Sequence, residues 1–102
     1  MAKLVVLYKK PADTAAFDSY YFSTHIPIAK KIAGLRRYEV SSGPVATPAG
    51  ESPFHLVAVL SFDSLAALRQ AMASPEGAAA AADVAKFAQA GVDMLIFDTK
   101  DV

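Results

Sequence analysis

The strands predicted for this 102-residue chain are apolar on both faces. Phe54–Phe62 shows this most clearly, because one face is apolar throughout and Val57 and Val59 make the other face apolar as well. Lys3–Lys9 and Val92–Asp98 share this property. A sheet built from such strands must be covered on both sides, since an open face would exceed the roughly few hundred Å² of apolar patch usual for a monomer.

A long, interrupted helix is predicted after the first strand. Asp13 or Thr14 supplies its N-cap, and Gly34 is placed to end it. Pro27 has no backbone N–H for the carbonyl four residues before it, and it disfavours helical geometry in the preceding residue. We therefore expect a kink or a short break close to His25.

The second half of the chain supplies the remaining elements. Leu35–Ser41 alternates as a second strand, and Ser42–Pro53 is rich in Pro and Gly, which is typical of a mobile connection. A helix beginning near Ser64 should restart at Ser74-Pro75, where a capping Ser precedes a Pro in the first turn. The order predicts an α+β class fold, a ferredoxin-like βαββαβ domain over residues 1–102, with both helices on one face of a four-stranded antiparallel sheet.

The face of the sheet that carries no helix needs another cover. A second copy of the chain, packed sheet against sheet about a two-fold axis, is the simplest cover, so we expect a homodimer through the helix-free sheet face. A shift of one residue in strand register would exchange the two alternating sets of side chains. The set assigned to the interface is Val5, Leu7, Val57, Val59, Leu95 and Phe97.

Composition excludes several classes of protein. The chain has no Cys, which excludes a disulfide framework and thiolate chemistry. Its net charge is zero, but residues 1–40 carry seven basic and three acidic side chains, and residues 41–102 carry three basic and seven acidic side chains. We favour the interpretation that the two halves pack together and complement each other in charge over the alternative of a site for anions. We expect a cytoplasmic protein with no cofactor, no metal and no nucleic-acid or membrane partner, because no nucleotide fingerprint, basic footprint or spanning run is present.

Two groups of residues resemble the EthD family and together span nearly the whole chain. The first comprises Tyr20-Tyr21, His25-Ile26-Pro27-Ile28-Ala29 and Gly34-Leu35-Arg36-Arg37-Tyr38, and the second comprises Ser74-Pro75-Glu76-Gly77, Ala82-Asp83-Val84 and Phe87-Ala88. Ala33 and Lys86 depart from the Pro and Asn common in that family. The resemblance implies a dimeric α+β barrel and an association with ethyl tert-butyl ether degradation, in a system where a cytochrome P450 performs the oxidation.

His25 is the candidate catalytic residue. Imidazole titrates near neutral pH, and a helix break could turn the ring into a cleft, although the ring could instead cap carbonyls freed by the break. Each tyrosine combines apolar area with a hydroxyl that can orient a polar ligand. Arg36 could bind a carboxylate or enolate oxygen beside His25. His55 could line the site or simply pack at a strand edge. The candidate substrate-binding residues are Tyr8, Tyr21, Arg36, Tyr38 and His55.

Two functions of different classes follow. Similar folds serve muconolactone isomerases, polyketide cyclases and cofactor-independent monooxygenases, so the resemblance implies an enzyme that uses a His acid or base on a small apolar or aromatic metabolite. The alternative is a non-catalytic dimer that binds such a ligand or assists an oxygenase. The sequence offers no second obvious acid or base beside His25, which keeps both open.

Overall fold

The computed structural model describes all residues from Met1 to Val102. The strands are β1 Ala2–Lys9, β2 Arg37–Val40, β3 Ala46–Thr47, β4 Gly50–Glu51, β5 Phe54–Phe62 and β6 Val92–Asp98. The helices are α1 Thr14–Tyr20, α2 Ile26–Ala29, α3 Leu65–Ala73 and α4 Pro75–Phe87, and a π-helical turn, Tyr21–His25, joins α1 to α2. None of the helices has the length and apolar character that crossing a membrane requires.

Four strands form one antiparallel sheet in the order β2-β5-β1-β6. This is the ferredoxin-like arrangement predicted from the element order, with the first and third predicted strands at its centre. Alternate residues of the central strands, such as Leu4, Tyr8 and Leu60, are buried beneath the helices. Phe17 of α1 and Leu68 of α3 complete the core on that side.

The other face of the sheet has no helix over it. Val5 lies opposite Val59 on one neighbouring strand and Leu95 on the other, so these three side chains share this face. The alternating set predicted for it is therefore correct. At the edge strand, Leu95 is 54% exposed and Phe97 is 43% exposed, which leaves large apolar side chains in water in the single chain.

The connection before β5 differs from the sequence prediction. Instead of an irregular segment, β3 and β4 pair as a small antiparallel hairpin, and β2 is shorter than Leu35–Ser41. The buried Ser52 holds the hairpin base, because its hydroxyl donates to the carbonyl of Val45 at 2.8 Å. The hydroxyl of Thr47 bonds the backbone inside the turn as well, so side-chain hydrogen bonds organise a segment whose Pro and Gly content indicated only a loop.

The second helical region restarts where predicted. Ser74 ends α3 and caps α4, since its hydroxyl oxygen accepts from the N–H of Gly77 at 3.1 Å. Gly77 is buried against the preceding helix, and a Cβ there would lie 2.1 Å from the carbonyl oxygen of Ala71. The close approach of α3 and α4 therefore depends on a residue with no side chain.

Candidate functional site: a histidine at a π turn beside an apolar cavity

The predicted helix break takes the form of a π turn. The N–H of Ile26 donates to the carbonyl of Tyr21, which is five residues earlier instead of the four of an α-helix. The turn is therefore wider than an α-helical turn, and the N–H of Ile26 still has a partner. Pro27, which has no N–H to donate, follows directly in the first turn of α2. The turn begins with Tyr21 and ends with His25, and both side chains are buried. Single π turns of this kind are frequent at functional sites.

His25 belongs to a buried hydrogen-bond network with α4. Its Nδ1 lies 2.9 Å from Oδ2 of Asp83, and the hydroxyl of Tyr20 donates to Oδ1 of the same carboxylate at 2.6 Å. The side chains of His25 and Asp83 are only 5% and 4% exposed. Burial alone would raise the pKa of Asp83, but the hydrogen bonds from Tyr20 and His25 together hold that pKa below its usual value.

A charged Asp83 fixes the tautomer of the histidine ring. A carboxylate only accepts hydrogen bonds, so Nδ1 of His25 carries the proton it donates, and Nε2 of the neutral ring has a free lone pair. Nε2 makes no hydrogen bond within the chain. Every fully buried side-chain nitrogen or oxygen atom in this protein has a hydrogen-bond partner, so an atom without a partner is accessible to solvent. Nε2 is therefore reachable by a water-sized molecule and is free to bond a ligand.

The space beside His25 is an apolar cavity of about 50 Å³ between the helices and the sheet. Thirteen of its fifteen lining residues are hydrophobic, among them Leu60, Met72 and Val84. Met94 of β6, half exposed, lies at its rim. An apolar lining with a few polar groups is typical of small-molecule sites, although this cavity is well below their usual volume of roughly 300–1,000 Å³.

Three tyrosines predicted as site residues gather around this cavity. Tyr8 and Tyr38 line the cavity. Tyr21 does not line it, but its hydroxyl is 2.7 Å from the hydroxyl of Tyr38 and forms a hydrogen bond with it. Burial is the main cause that raises the pKa of all three phenols. The hydroxyls therefore stay protonated and remain able to donate a hydrogen bond to a ligand oxygen.

Arg36 and His55 are not brought to the cavity. Arg36 precedes β2, and its guanidinium makes an exposed ion pair with Asp63 at 2.8 Å, so the expectation that it lies beside His25 is not met. Nε2 of His55 is 2.7 Å from Oδ1 of Asp18, in a separate groove. The ring of Phe17 packs edge-on against His55 and separates it from the His25 side.

Asp83 is the functional candidate that the sequence reading missed. It lies 58 residues from its partner His25, and no spacing rule links a histidine before a proline to an acid in a distant helix. One signal was available, because Asp83 interrupts the alanine-rich stretch of α4 and so places a carboxylate on an apolar helix face. The alternative interpretation, in which the His25 ring caps carbonyls freed by the helix break, is not met, because Nδ1 bonds the side chain of Asp83 instead.

Comparison with known proteins gives a family and close structural relatives. The family model described as EthD domain matches residues 9–91. An 11.0 kDa protein from the thcB-thcC intergenic region of Rhodococcus erythropolis is 43% identical, with 100% of this chain and 98% of that protein covered. An EthD family protein of Bacillus halodurans is 41% identical, with a TM-score of 0.90 and coverage of 98% and 99%. SnoaB, a cofactor-independent oxygenase from Streptomyces nogalater, shares the fold at 16% identity, with a TM-score of 0.70 and coverage of 99% and 94%.

Proposed function

This chain belongs to the EthD family, and we propose that it is a homodimeric enzyme in which His25 moves a proton on a small apolar or aromatic metabolite. One observation carries the proposal. A buried histidine has Nδ1 held by Asp83 at 2.9 Å and Nε2 unbonded beside an apolar cavity. This is the arrangement of a general base with its orienting carboxylate.

The chemistry that fits these groups is proton transfer next to a carbonyl. Nε2 of His25 takes a proton from the carbon beside the carbonyl, and the electron pair of that C–H bond moves onto the carbonyl oxygen as an enolate. The hydroxyls of Tyr8 and Tyr38 donate to that oxygen, while Asp83 stabilises the imidazolium. Where the substrate has a C=C bond between its β and γ carbons, this species is a dienolate, and return of the proton to the γ carbon re-forms the carbonyl and leaves the C=C bond between the α and β carbons. The product is an isomer of the substrate, so the cycle balances without a cofactor.

The size of the cavity limits the substrate. A volume of about 50 Å³ is several times smaller than the roughly 300–1,000 Å³ of typical small-molecule sites, so a ring-sized metabolite enters only when side chains move. Met72 and Met94 are suited to that movement, because the methionine side chain is unbranched and adapts to irregular spaces. A substrate with few polar groups is favoured, since the cavity offers little besides His25 and the two tyrosine hydroxyls for polar contact.

The homodimer is supported by the uncovered sheet face. Val5, Val59 and Leu95 form one apolar surface with no helix over it, and the His25 cavity lies on the opposite side of the sheet. Packing two copies through this surface removes the exposed patch and leaves each cavity open.

Non-catalytic binding is the second candidate, and the composition of the cavity favours it. Apart from tyrosines with raised pKa values, His25 is the one titratable residue among the lining side chains. An apolar pocket with one hydrogen-bonding ring nitrogen is sufficient to hold a ligand for a partner oxygenase.

His25→Gln separates the two functions. Small ketones and lactones are incubated with the protein in D₂O, and loss of C–H signals by NMR reports proton abstraction. Positioned acid–base catalysis contributes about 100- to 10,000-fold, so His25→Gln should lower the exchange rate by that factor while the exposed control Lys30→Gln retains it. Thermal stabilisation by a ligand with no exchange in the wild-type protein would favour the binding function, and equal exchange in His25→Gln would refute the role of His25.

A further inference from the structure

A second groove lies beside the π turn, at the end of the sheet where β1 finishes and β5 begins. Its volume is about 410 Å³, within the range of roughly 300–1,000 Å³ typical of small-molecule sites. Asp18 of α1 and Phe22 of the π turn form one wall, and Val45, Phe54 and His55 form the other. Because His55 contacts α1, the groove is on the helix side of the sheet and stays open when the helix-free face is covered.

Each charged side chain in this groove has a polar partner. Asp18 is 2.7 Å from Nε2 of His55, and Lys10 lies 3.6 Å from Glu51 at the rim. No acidic or basic side chain among the lining residues is left without a hydrogen-bond or ion-pair partner. An ionic ligand would have to compete with one of these pairs, so the groove favours a neutral molecule.

The groove also presents one polar atom and an aromatic surface. Nε2 of His55 is bonded to Asp18, whereas Nδ1 makes no hydrogen bond and is open to solvent. A hydroxyl suits this atom in particular, because it can either donate to a ring nitrogen or accept from it. Phe22 is 50% exposed, and Phe54 is partly exposed, so a flat apolar ring has two phenyl groups to pack against.

We propose that this groove is a second ligand site, separate from the His25 cavity, that takes a neutral aromatic molecule carrying a hydroxyl group. The hydroxyl bonds Nδ1 of His55, and the ring packs on Phe22. Phe17 contacts His55, Phe87 contacts His25, and the two phenyl rings contact each other, so aromatic side chains separate the groove from the His25 cavity.

Phenol and benzene are matched probes for this site. Each is titrated into the ¹⁵N-labelled full chain, and amide shifts are followed by NMR. Phenol should give saturable shifts at Asp18, Phe22 and His55. Benzene should bind about 2- to 13-fold more weakly, because one net hydrogen bond contributes about 0.5–1.5 kcal/mol. His55→Phe keeps a ring against Phe17 and should abolish the difference between phenol and benzene.

Phe22→Ala tests the aromatic contact without disturbing the core, since this side chain is half exposed. It should weaken phenol binding at least fivefold, while the exposed control Lys30→Ala leaves binding unchanged. Shifts that cluster around Tyr38 and Ala80 would place phenol in the His25 cavity and overturn the proposal. Non-saturating shifts, or equal affinity for phenol and benzene in the wild-type protein, would also overturn it.

Discussion

Replacement of Asp83 by Asn removes the charge of the buried network and little else. The asparagine oxygen still accepts from Tyr20, but its NH₂ group faces Nδ1 of His25 and cannot accept a proton. The ring then takes the other tautomer, with Nδ1 as acceptor and the proton on Nε2. Asp83→Asn should therefore remove the free lone pair from the cavity while the fold is retained.

The cost to stability follows from the two hydrogen bonds of 2.6 and 2.9 Å that the carboxylate accepts. A hydrogen bond to a charged group contributes about 1.5–3 kcal/mol and a neutral one about 0.5–1.5 kcal/mol, so exchanging both lowers the free energy of unfolding by about 2 kcal/mol. Because the folded-state pKa of Asp83 is lowered, this stabilisation is complete above the unfolded carboxyl pKa of about 3.9 and is lost as the pH falls through the folded value.

Two measurements check this prediction. Urea unfolding at several pH values should show a gap of about 2 kcal/mol between wild type and Asp83→Asn at pH 7 that closes below about pH 4, whereas the exposed control Asp101→Asn shows no gap. The ¹⁵N shifts of the His25 ring should report a proton on Nδ1 in the wild type and on Nε2 in the variant. A gap under about 0.5 kcal/mol at pH 7, or a wild-type ring protonated only on Nε2, would show that Asp83 does not hold the His25 ring as a charged acceptor.

Two further predictions concern assembly and helix packing. Sedimentation should give a mass near twice 10.7 kDa. Leu95 is exposed in the single chain, so Leu95→Lys should convert the protein to a monomer without unfolding it. A wild-type monomer at micromolar concentration would contradict the interface. Gly77→Ala should lower the free energy of unfolding by about 1–3 kcal/mol in urea, because the added Cβ meets the backbone of Ala71; a neutral effect would show that α3 and α4 separate easily.

Local patterns in the sequence were sufficient for the fold. Alternation in Phe54–Phe62 and the apolar runs of the first and last strands divided the residues into two faces, because side chains alternate with a period of two. Alternation alone left open which face the helices cover. The hairpin of β3 and β4 escaped prediction, since each strand has only two residues and its base is held by a hydrogen bond from the side chain of Ser52 to a residue seven positions away.

The candidate site was predictable only in part. His25 could be placed at the break because Pro27 acts on its own helix. Tyr8 and Tyr38 were candidates because a tyrosine combines apolar area with a hydroxyl, and both line the cavity. The partner of His25, Asp83, and the partner of Arg36, Asp63, are 58 and 27 residues away in the sequence. Predicting such contacts requires the packing of distant segments, which no local sequence rule supplies. An exposed arginine next to a strand has several partners within reach, and here Asp63 is the one it contacts.

The run of small residues in α4 has a consequence for how this protein could change over evolution. The cavity exists where Ala80 and Ala81 carry only a methyl group, so one exchange for valine or leucine on this helix would fill much of the roughly 50 Å³. Met72, on the neighbouring helix, offers the opposite change, since a smaller residue there would widen the space. Neither change touches the hydrogen bond between His25 and Asp83. The size of the cavity and the hydrogen bond that holds the His25 ring are therefore encoded by different positions, and a lineage could alter the first by point mutation while keeping the second.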